Sequence, residues 1–285
     1  MSGDRPPSVW HAYLDGFHER HPGITEDVLV RSVAAGSRMT PYAWLLDGEP
    51  RPAGAPAPRS TGPARRAGPA LDLACGSAPL AHGADPGRFV GVDRSPGELA
   101  RAARSTGTSL VRADAGVLPF ADGAFALVAC SMALMLFDPV DAALDEIRRV
   151  LRPDGVAMFL LPGSVPLTLR DRARYARLLA ALHLVKPSYA NTVHLARLRG
   201  RLARAGLRVL ADERRRFAYR VSDAGAARRF AESLYSPGAV PGRVEGAARV
   251  TGRWVGTEIG IPLRRVVCAA SARPLDRAVG ESPRI

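Results

Sequence analysis

The sequence has no apolar run long enough to cross a bilayer: the longest, Phe125 to Phe137, falls well short of the roughly 18 residues a span needs. The opening residues MSGDRPPSVWHAY lack the apolar core of a secretory signal, and the three cysteines Cys75, Cys130 and Cys268 cannot all pair with one another. A reduced, cytoplasmic setting without membrane contact is the expectation. The phosphate-loop pattern G-x-x-x-x-G-K-[ST] is missing, which removes that class of nucleotidases. Of the dinucleotide fingerprint G-x-G-x-x-G only Gly76 is present, with Ala74, Ala78 and Ala81 nearby, so NAD and FAD are disfavoured. Lysine is almost absent. Lys186 is the only one, and arginine carries nearly all of a net charge of +13. Such a balance favours polyanionic partners only if the arginines gather on one face, and a composition skew gives the same count.

What is present suits a globular chain. The 285 residues are 47% hydrophobic and 24% charged, enough to bury a full core and fitting one large domain with an appendage. From Ser8 to about Asp47 the pattern predicts two or three short helices rich in aromatics, including Trp10, Tyr13, Phe17, Tyr42 and Trp44. Between Glu49 and Pro69 proline and glycine recur too densely for helix or strand to propagate. The expected organisation is therefore an N-terminal helical cap over 1–47, a linker over 48–69 and a main domain over 70–285, with a helical insertion at about 164–206.

From Ala70 onward, β-type runs alternate with helical stretches, which is the signature of an α/β chain with a parallel sheet. Strands are predicted at 70–74, 88–93, 109–114, 125–130 and 155–162, with closing strands near 207–210 and 265–270. Asp138-Pro139-Val140-Asp141 reads as a helix start capped by Asp138, with the helix ending before Pro153-Asp154-Gly155. Further helices are expected over 167–185 and 191–205. Asp122-Gly123 reads as a turn, and Asp138 and Asp141 as capping residues rather than metal ligands; no metal site is expected.

The chemistry lies in LDLACGSAP, Leu71 to Pro79, and in Val92-Asp93 at the end of the next predicted strand. A strand that ends in a tight turn of small residues lets backbone amides approach a ligand. An acid 21 residues after Asp72 can accept hydrogen bonds from both hydroxyls of a ribose. Together these describe a nucleoside pocket. The segment resembles the first motif of class I S-adenosylmethionine-dependent methyltransferases, and VGVDRSPGELARAAR, VRADAGVLPFADGAFALVACSMALM and LDEIRRVLRPDG resemble the family's next blocks in order and spacing. The resemblance covers Ala70 to Pro162 and, more loosely, the closing strands.

It implies a Rossmann-like, seven-stranded, mostly parallel sheet flanked by helices, with S-adenosylmethionine as cofactor. It further implies that Asp72 organises the methionine end of the cofactor, with close backbone from Ala74, Cys75, Gly76 and Ser77. Asp93 would take the ribose hydroxyls and Arg94 would flank the adenine. Asp114 and the Ala115 amide would meet adenine nitrogens, while Cys130, Ser131 and Met132 would lie beside the transferring methyl. Ala74 and Ala78 stand where the family carries glycine, which is tolerable if both keep negative φ. The residues from Pro79 to Gly87 leave room for only a short first crossover helix.

The expected reaction is methyl transfer to a small-molecule acceptor by in-line displacement. The alternatives are RNA methylation and a non-catalytic cofactor-binding module. Candidate bases are His11, His18, His194 and Tyr189, and the cap aromatics Trp10, Tyr13, Tyr42 and Trp44 are candidate lid residues near a cationic sulfur. Cys130-Ser131-Met132-Ala133 lacks the Asn/Asp-Pro-Pro-aromatic turn of base-amino methylation, and Cys130 lacks the setting of a cytosine nucleophile. Cys75 and Cys130 read as small buried hydrophobes. In His194 to Leu210, Leu195, Leu198 and Leu202 share one helical face, so the arginines there read as a solvated face; Arg214-Arg215-Arg216 is the other basic cluster.

Overall fold

The computed structural model describes residues 9–47, 68–83, 87–187, 189–191, 197–237 and 241–271. Three helices, α1 (Val9–Arg20), α2 (Ile24–Val30) and α3 (Pro41–Asp47), form the N-terminal segment, with strand β1 (Ser32–Ala34) between the last two. The central βα chain follows as β2 (Ala70–Leu73), β3 (Phe89–Asp93), α4 (Pro96–Ser105), β4 (Ser109–Arg112), β5 (Phe125–Ser131), α5 (Val140–Val150) and β6 (Leu151–Pro162). Then come α6 (Leu169–Ala181), α7 (Leu198–Arg204), β7 (Leu207–Arg220), α8 (Ala224–Glu232), α9 (Pro241–Gly252) and β8 (Glu258–Ala270). Most of the predicted linker lies outside the described residues.

Among the described residues the sheet has eight strands, in the order β1-β7-β8-β6-β5-β2-β3-β4, against seven expected. The added strand is β1, whose Ser32, Val33 and Ala34 pair with Tyr219, Ala218 and Phe217 and cover the edge of β7. Strands β4, β3, β2, β5 and β6 run parallel, and β8, β7 and β1 close the sheet antiparallel.

The parallel strands are apolar because both faces are covered. Leu71 and Leu73 meet Val128, Leu144 and Ile147 on one face. Trp44, Leu45 and Leu80 cover Leu127 and Met158 on the other. Each such side chain contributes about 1.5–3 kcal/mol when removed from water. Trp44 and Tyr42 therefore belong to the core rather than to a lid. The Arg215 and Arg265 guanidinium carbons lie 5.3 and 4.7 Å from the Trp44 ring centroid.

Two helix starts separate what local sequence decides from what it does not. Ser95 caps α4 by accepting from the Glu98 amide, with proline in the first turn. By contrast, the cap of α5 is Pro139, without a side-chain hydrogen bond, so Asp138 is not the expected cap. The closing strands are much longer than predicted, because they pair with each other along their length. Charge there is internally matched: Arg264 holds Asp212, Arg265 holds Glu213, and Arg216 reaches Asp171 at 2.7 Å. In α7, Leu198 and Leu202 are buried as read, while Arg201 pairs with Asp141.

Candidate active site

Strand β2 lies between β3, which follows it, and β5, so the strand order reverses beside it; ligands bind outside the carboxyl ends of strands at such a point. Leu73 is in register with Val92 and Cys130, which brings the loops after all three strands together. They border a cavity of about 990 Å3. Its floor is Ala74 and Gly76 after β2, Asp93 and Arg94 after β3, Asp114 and Ala115 after β4, and Ser131 and Met132 after β5. Its roof comes from the N-terminal helices, through His11, Leu14, Asp15 and His18 of α1 and Thr25 and Glu26 of α2.

Of the residues predicted for the cofactor, Asp72, Cys75, Ser77 and Cys130 do not border the cavity. Cys75 and Cys130 are free, buried thiols, both pushed upward by burial first and by the nearby Asp72 charge second. Asp72 sits in the sheet, 2% exposed, and burial followed by the charge of Asp93 pushes it up to about 8. Its Oδ2 is shielded from solvent and takes no hydrogen bond. Among the candidate lid aromatics Trp10, Tyr13, Tyr42 and Trp44, none borders the cavity; Tyr13 instead accepts from the Ser236 amide at 2.7 Å.

Asp93 shapes the turn as well as facing the cavity. One carboxylate oxygen accepts from the Gly76 amide at 2.9 Å and the other from Ser95 at 2.8 Å. A carboxylate has about four acceptor positions, so two remain for a ligand. Asp114 turns back to accept from the Gly116 amide at 2.8 Å. Arg94 meets Asp15 of α1 at 3.2 Å, joining floor to roof.

The turn itself departs from the expected backbone. Ala74, Gly76 and Ala78 have φ of 54°, 54° and 56°, so both alanines occupy the left-handed region rather than negative φ. The turn needs the geometry that glycine gives freely, and the buried packing of Ala78 and Cys75 holds it in place. The left-handed region costs an alanine about 1–2 kcal/mol. Ala74→Gly is thus expected to stabilise the protein by about 1 kcal/mol after the added unfolded-state freedom, raising the melting temperature by about 2–4 °C. A lower melting temperature would contradict this account. At Gly76, also left-handed, a Cβ would lie 2.0 Å from Glu26 Oε1, so a larger residue there would displace the Glu26 carboxyl.

Glu26 is the residue that sequence reasoning missed. In ITEDVLV it stands in the first turn of a helix, where an acid is explained by the helix dipole, so nothing marks it as functional. In the fold its carboxyl lies over Gly76, and burial, then the charge of Glu98, pushes its pKa well above the ordinary range. Its Oε2, like Asp72 Oδ2, is shielded and without a hydrogen bond. Two such acids at one turn suit a ligand with a positive group. The methionine end of S-adenosylmethionine, an ammonium beside a sulfonium, fits them.

The candidate bases separate. His11 borders the cavity, Tyr189 borders a neighbouring one, and His194 lies outside the described residues. His18 Nδ1 is 2.8 Å from Glu98 Oε1, which also accepts from the Gly23 amide, and His18 Nε2 is 3.5 Å from the Tyr235 hydroxyl. In the tautomer in which Nδ1 donates to Glu98 Oε1, the Nε2 lone pair faces the Tyr235 hydroxyl. The neighbouring cavity, about 730 Å3, shares Thr25, Met132 and Tyr235 with the first.

Residues 71–159 match the family model described as a methyltransferase domain. No curated protein matches the sequence. Among solved structures, the chain is similar to one from the Haloferax volcanii complex of the Trm112 methyltransferase activator with a methyltransferase. The identity is 17%, covering 92% of this chain and 97% of that one, with a TM-score of 0.53. It is also similar to phosphoethanolamine N-methyltransferase 2 of Haemonchus contortus, solved with phosphomonomethylethanolamine and S-adenosylhomocysteine, at 15% identity over 94% of this chain and 61% of that one, with a TM-score of 0.53. These likenesses establish the fold, and the family match over the central strands agrees with the cavity at their ends. Residues 71–159 thus carry a methyltransferase domain, of a family whose cofactor is S-adenosylmethionine.

Proposed function

We propose that this protein methylates a small-molecule acceptor by in-line displacement. The observation that carries the reading is the pair of shielded acids, Asp72 in β2 and Glu26 in α2, on either side of the turn after β2 and beside a roofed cavity that shares three bordering residues with a second one. S-adenosylmethionine supplies the electrophilic methyl on a cationic sulfur. In this reading Asp93 holds the ribose hydroxyls and Asp114 and Ala115 meet the adenine, with Arg94 at its flank. The backbone of Ala74, Cys75, Gly76 and Ser77 supports the methionine end, which Asp72 and Glu26 hold by charge. Ser131 and Met132 border the path of the methyl, with Cys130 packed behind them.

Domain roles follow from the same placement. Residues 1–47 act as a roof that excludes water, joined through 48–69 to a catalytic domain over 70–285, and within the 164–206 insertion α6 and the segment after it complete the acceptor side, while α7 packs against the sheet. His18, aligned by Glu98, is the base that receives a proton when the acceptor needs to lose one. A small acceptor suits this enclosure better than RNA, because the Arg214–Arg216 cluster is spent within the protein: Arg216 on Asp171 and Arg215 over Trp44. No described helix is long and apolar enough to cross a membrane, and we place the reaction in the cytoplasm.

The test is calorimetric titration with S-adenosylmethionine, S-adenosylhomocysteine and NADH. Micromolar binding of the first two alone is expected; no binding of either overturns the reading. A carboxyl raised to about 8 carries its proton at pH 7, and a cation placed against it drives that proton off. S-adenosylmethionine binding at pH 7 should therefore release up to about one proton, seen as different apparent heats in phosphate and Tris buffers. Identical heats in the two buffers would remove Asp72 and Glu26 from contact with the cofactor's charge.

A further inference from the structure

The second cavity differs in chemistry from the first. It lies between α2, α6 and α8, and is walled by Val28, Leu29, Leu179, Leu184 and Phe230. Among the described residues, none bordering it is Asp, Glu, Lys, Arg or His, although about a quarter of the chain is charged. Its polar groups are hydroxyls, chiefly those of Tyr175, Tyr189 and Tyr235. Burial holds all three phenols above their ordinary value, so they remain neutral. Apolar walls with a few hydroxyls are the character of a site that takes an uncharged organic molecule. Bringing a charged group into it costs several kcal/mol, with no countercharge to offset the loss of water.

The wall it shares with the first cavity is also the place where chemistry can occur. Thr25, Met132 and Tyr235 border both cavities, and Met132 belongs to the loop after β5, where the proposed methyl path lies. At that wall, Tyr235 is within reach of His18 Nε2, and His18 is fixed by Glu98. From this geometry we infer that the second cavity is the acceptor site and takes a neutral, mostly apolar molecule that presents a hydroxyl group at Tyr235. The inference rests on the methyl-transfer reading and narrows it to one acceptor class.

The step balances. The acceptor oxygen forms the new bond to the methyl carbon as the sulfur–methyl bond breaks, and that electron pair stays on sulfur. The hydroxyl proton passes to Tyr235 as the tyrosine's own proton moves to His18 Nε2. A charged acceptor would lose its hydration on entry.

The experiment uses full-length protein saturated with S-adenosylhomocysteine, whose binding is measured first and separately. Loss of that binding is failure of the cofactor reading; its presence leaves the acceptor inference to be judged alone. Three skeletons are then titrated, each as a neutral hydroxyl compound, a carboxylate and an ammonium: 2-naphthol, 4-phenylphenol and geraniol with their matched ionic forms. At least one neutral compound is expected to bind at least tenfold more tightly than both of its charged counterparts. Leu184→Trp, which fills the cavity from a half-buried loop position, should abolish that binding and leave S-adenosylhomocysteine binding intact. Leu179→Glu should weaken it at least tenfold by placing an acid in the wall. Equal binding of neutral and charged forms, preference for a charged form, binding of none of the nine, or binding untouched by both variants each overturns the inference.

Discussion

Asp93→Ala is expected to weaken S-adenosylmethionine and S-adenosylhomocysteine by the same factor, greater than tenfold, because both carry the ribose that Asp93 is proposed to hold. Two mechanisms add. The carboxylate's remaining acceptor positions face the cavity, and hydrogen bonds to a charged group are worth about 1.5–3 kcal/mol. The same carboxylate fixes the Gly76 and Ser95 amides at 2.9 and 2.8 Å, so its loss also frees the turn that carries the methionine end. Asp93→Asn should not rescue binding, since its amide nitrogen would face one of the two backbone donors. Calorimetry on variants that keep a cooperative thermal transition decides the matter. An unchanged affinity would take Asp93 out of the site, and a loss for S-adenosylmethionine alone would assign it to the sulfonium instead of the ribose.

The sequence was most legible where burial is most uniform. Strands β2, β3, β5 and β6 are nearly continuous apolar runs because helices cover both faces, and they lie within a few residues of their predicted positions. Strand β7 was visible only at its start. Beyond Leu210 it reads ADERRRFAYR, and its arginines and acids are drawn to partners on β8 and α6 that the sequence does not reveal. Helix α9, PGRVEGAARVTG, is rich in glycine and only weakly amphipathic, so its pattern gave no signal. At the candidate site the sequence singled out Asp93 and Asp114, which border the cavity, and Asp72, which is buried beside it, because all three fall at the ends of neighbouring strands. Glu26 and the Glu98–His18–Tyr235 chain were not, because residues from α1, α2, α4 and the segment after α8 meet only in the folded protein. The two left-handed alanines show the same limit: tertiary packing enforces a backbone that residue type alone argues against.

The largest expected loss of stability lies away from the cofactor, at Asp171. This residue is 1% exposed and gathers three elements. It completes the Thr168 capping box of α6, accepts from both Nε and Nη2 of Arg216 on β7 at 2.7 and 3.1 Å, and accepts from the Gly260 amide of β8 at 2.8 Å. Burial alone pushes this carboxyl upward, but the Arg216, Thr168 and Gly260 hydrogen bonds outweigh it and hold it well below the ordinary range. Asp171→Ala leaves a guanidinium and a buried amide without their acceptor, which is expected to cost about 3–5 kcal/mol. At about 2–4 °C per kcal/mol, the melting temperature at pH 7 should fall by about 10 °C. The pH dependence has a definite sign. Because the folded value is depressed, the contribution is complete above the ordinary carboxylate value of 3.8 and is lost as the pH falls below it. The stability gap between wild type and Asp171→Ala should therefore be widest near neutrality and narrow below pH 4, as thermal melting from pH 7 to pH 3 would show. A gap under 1 kcal/mol at pH 7 would mean that α6 is held to the sheet by its apolar face, and a gap of constant width would mean that the carboxylate acts by shape rather than by charge.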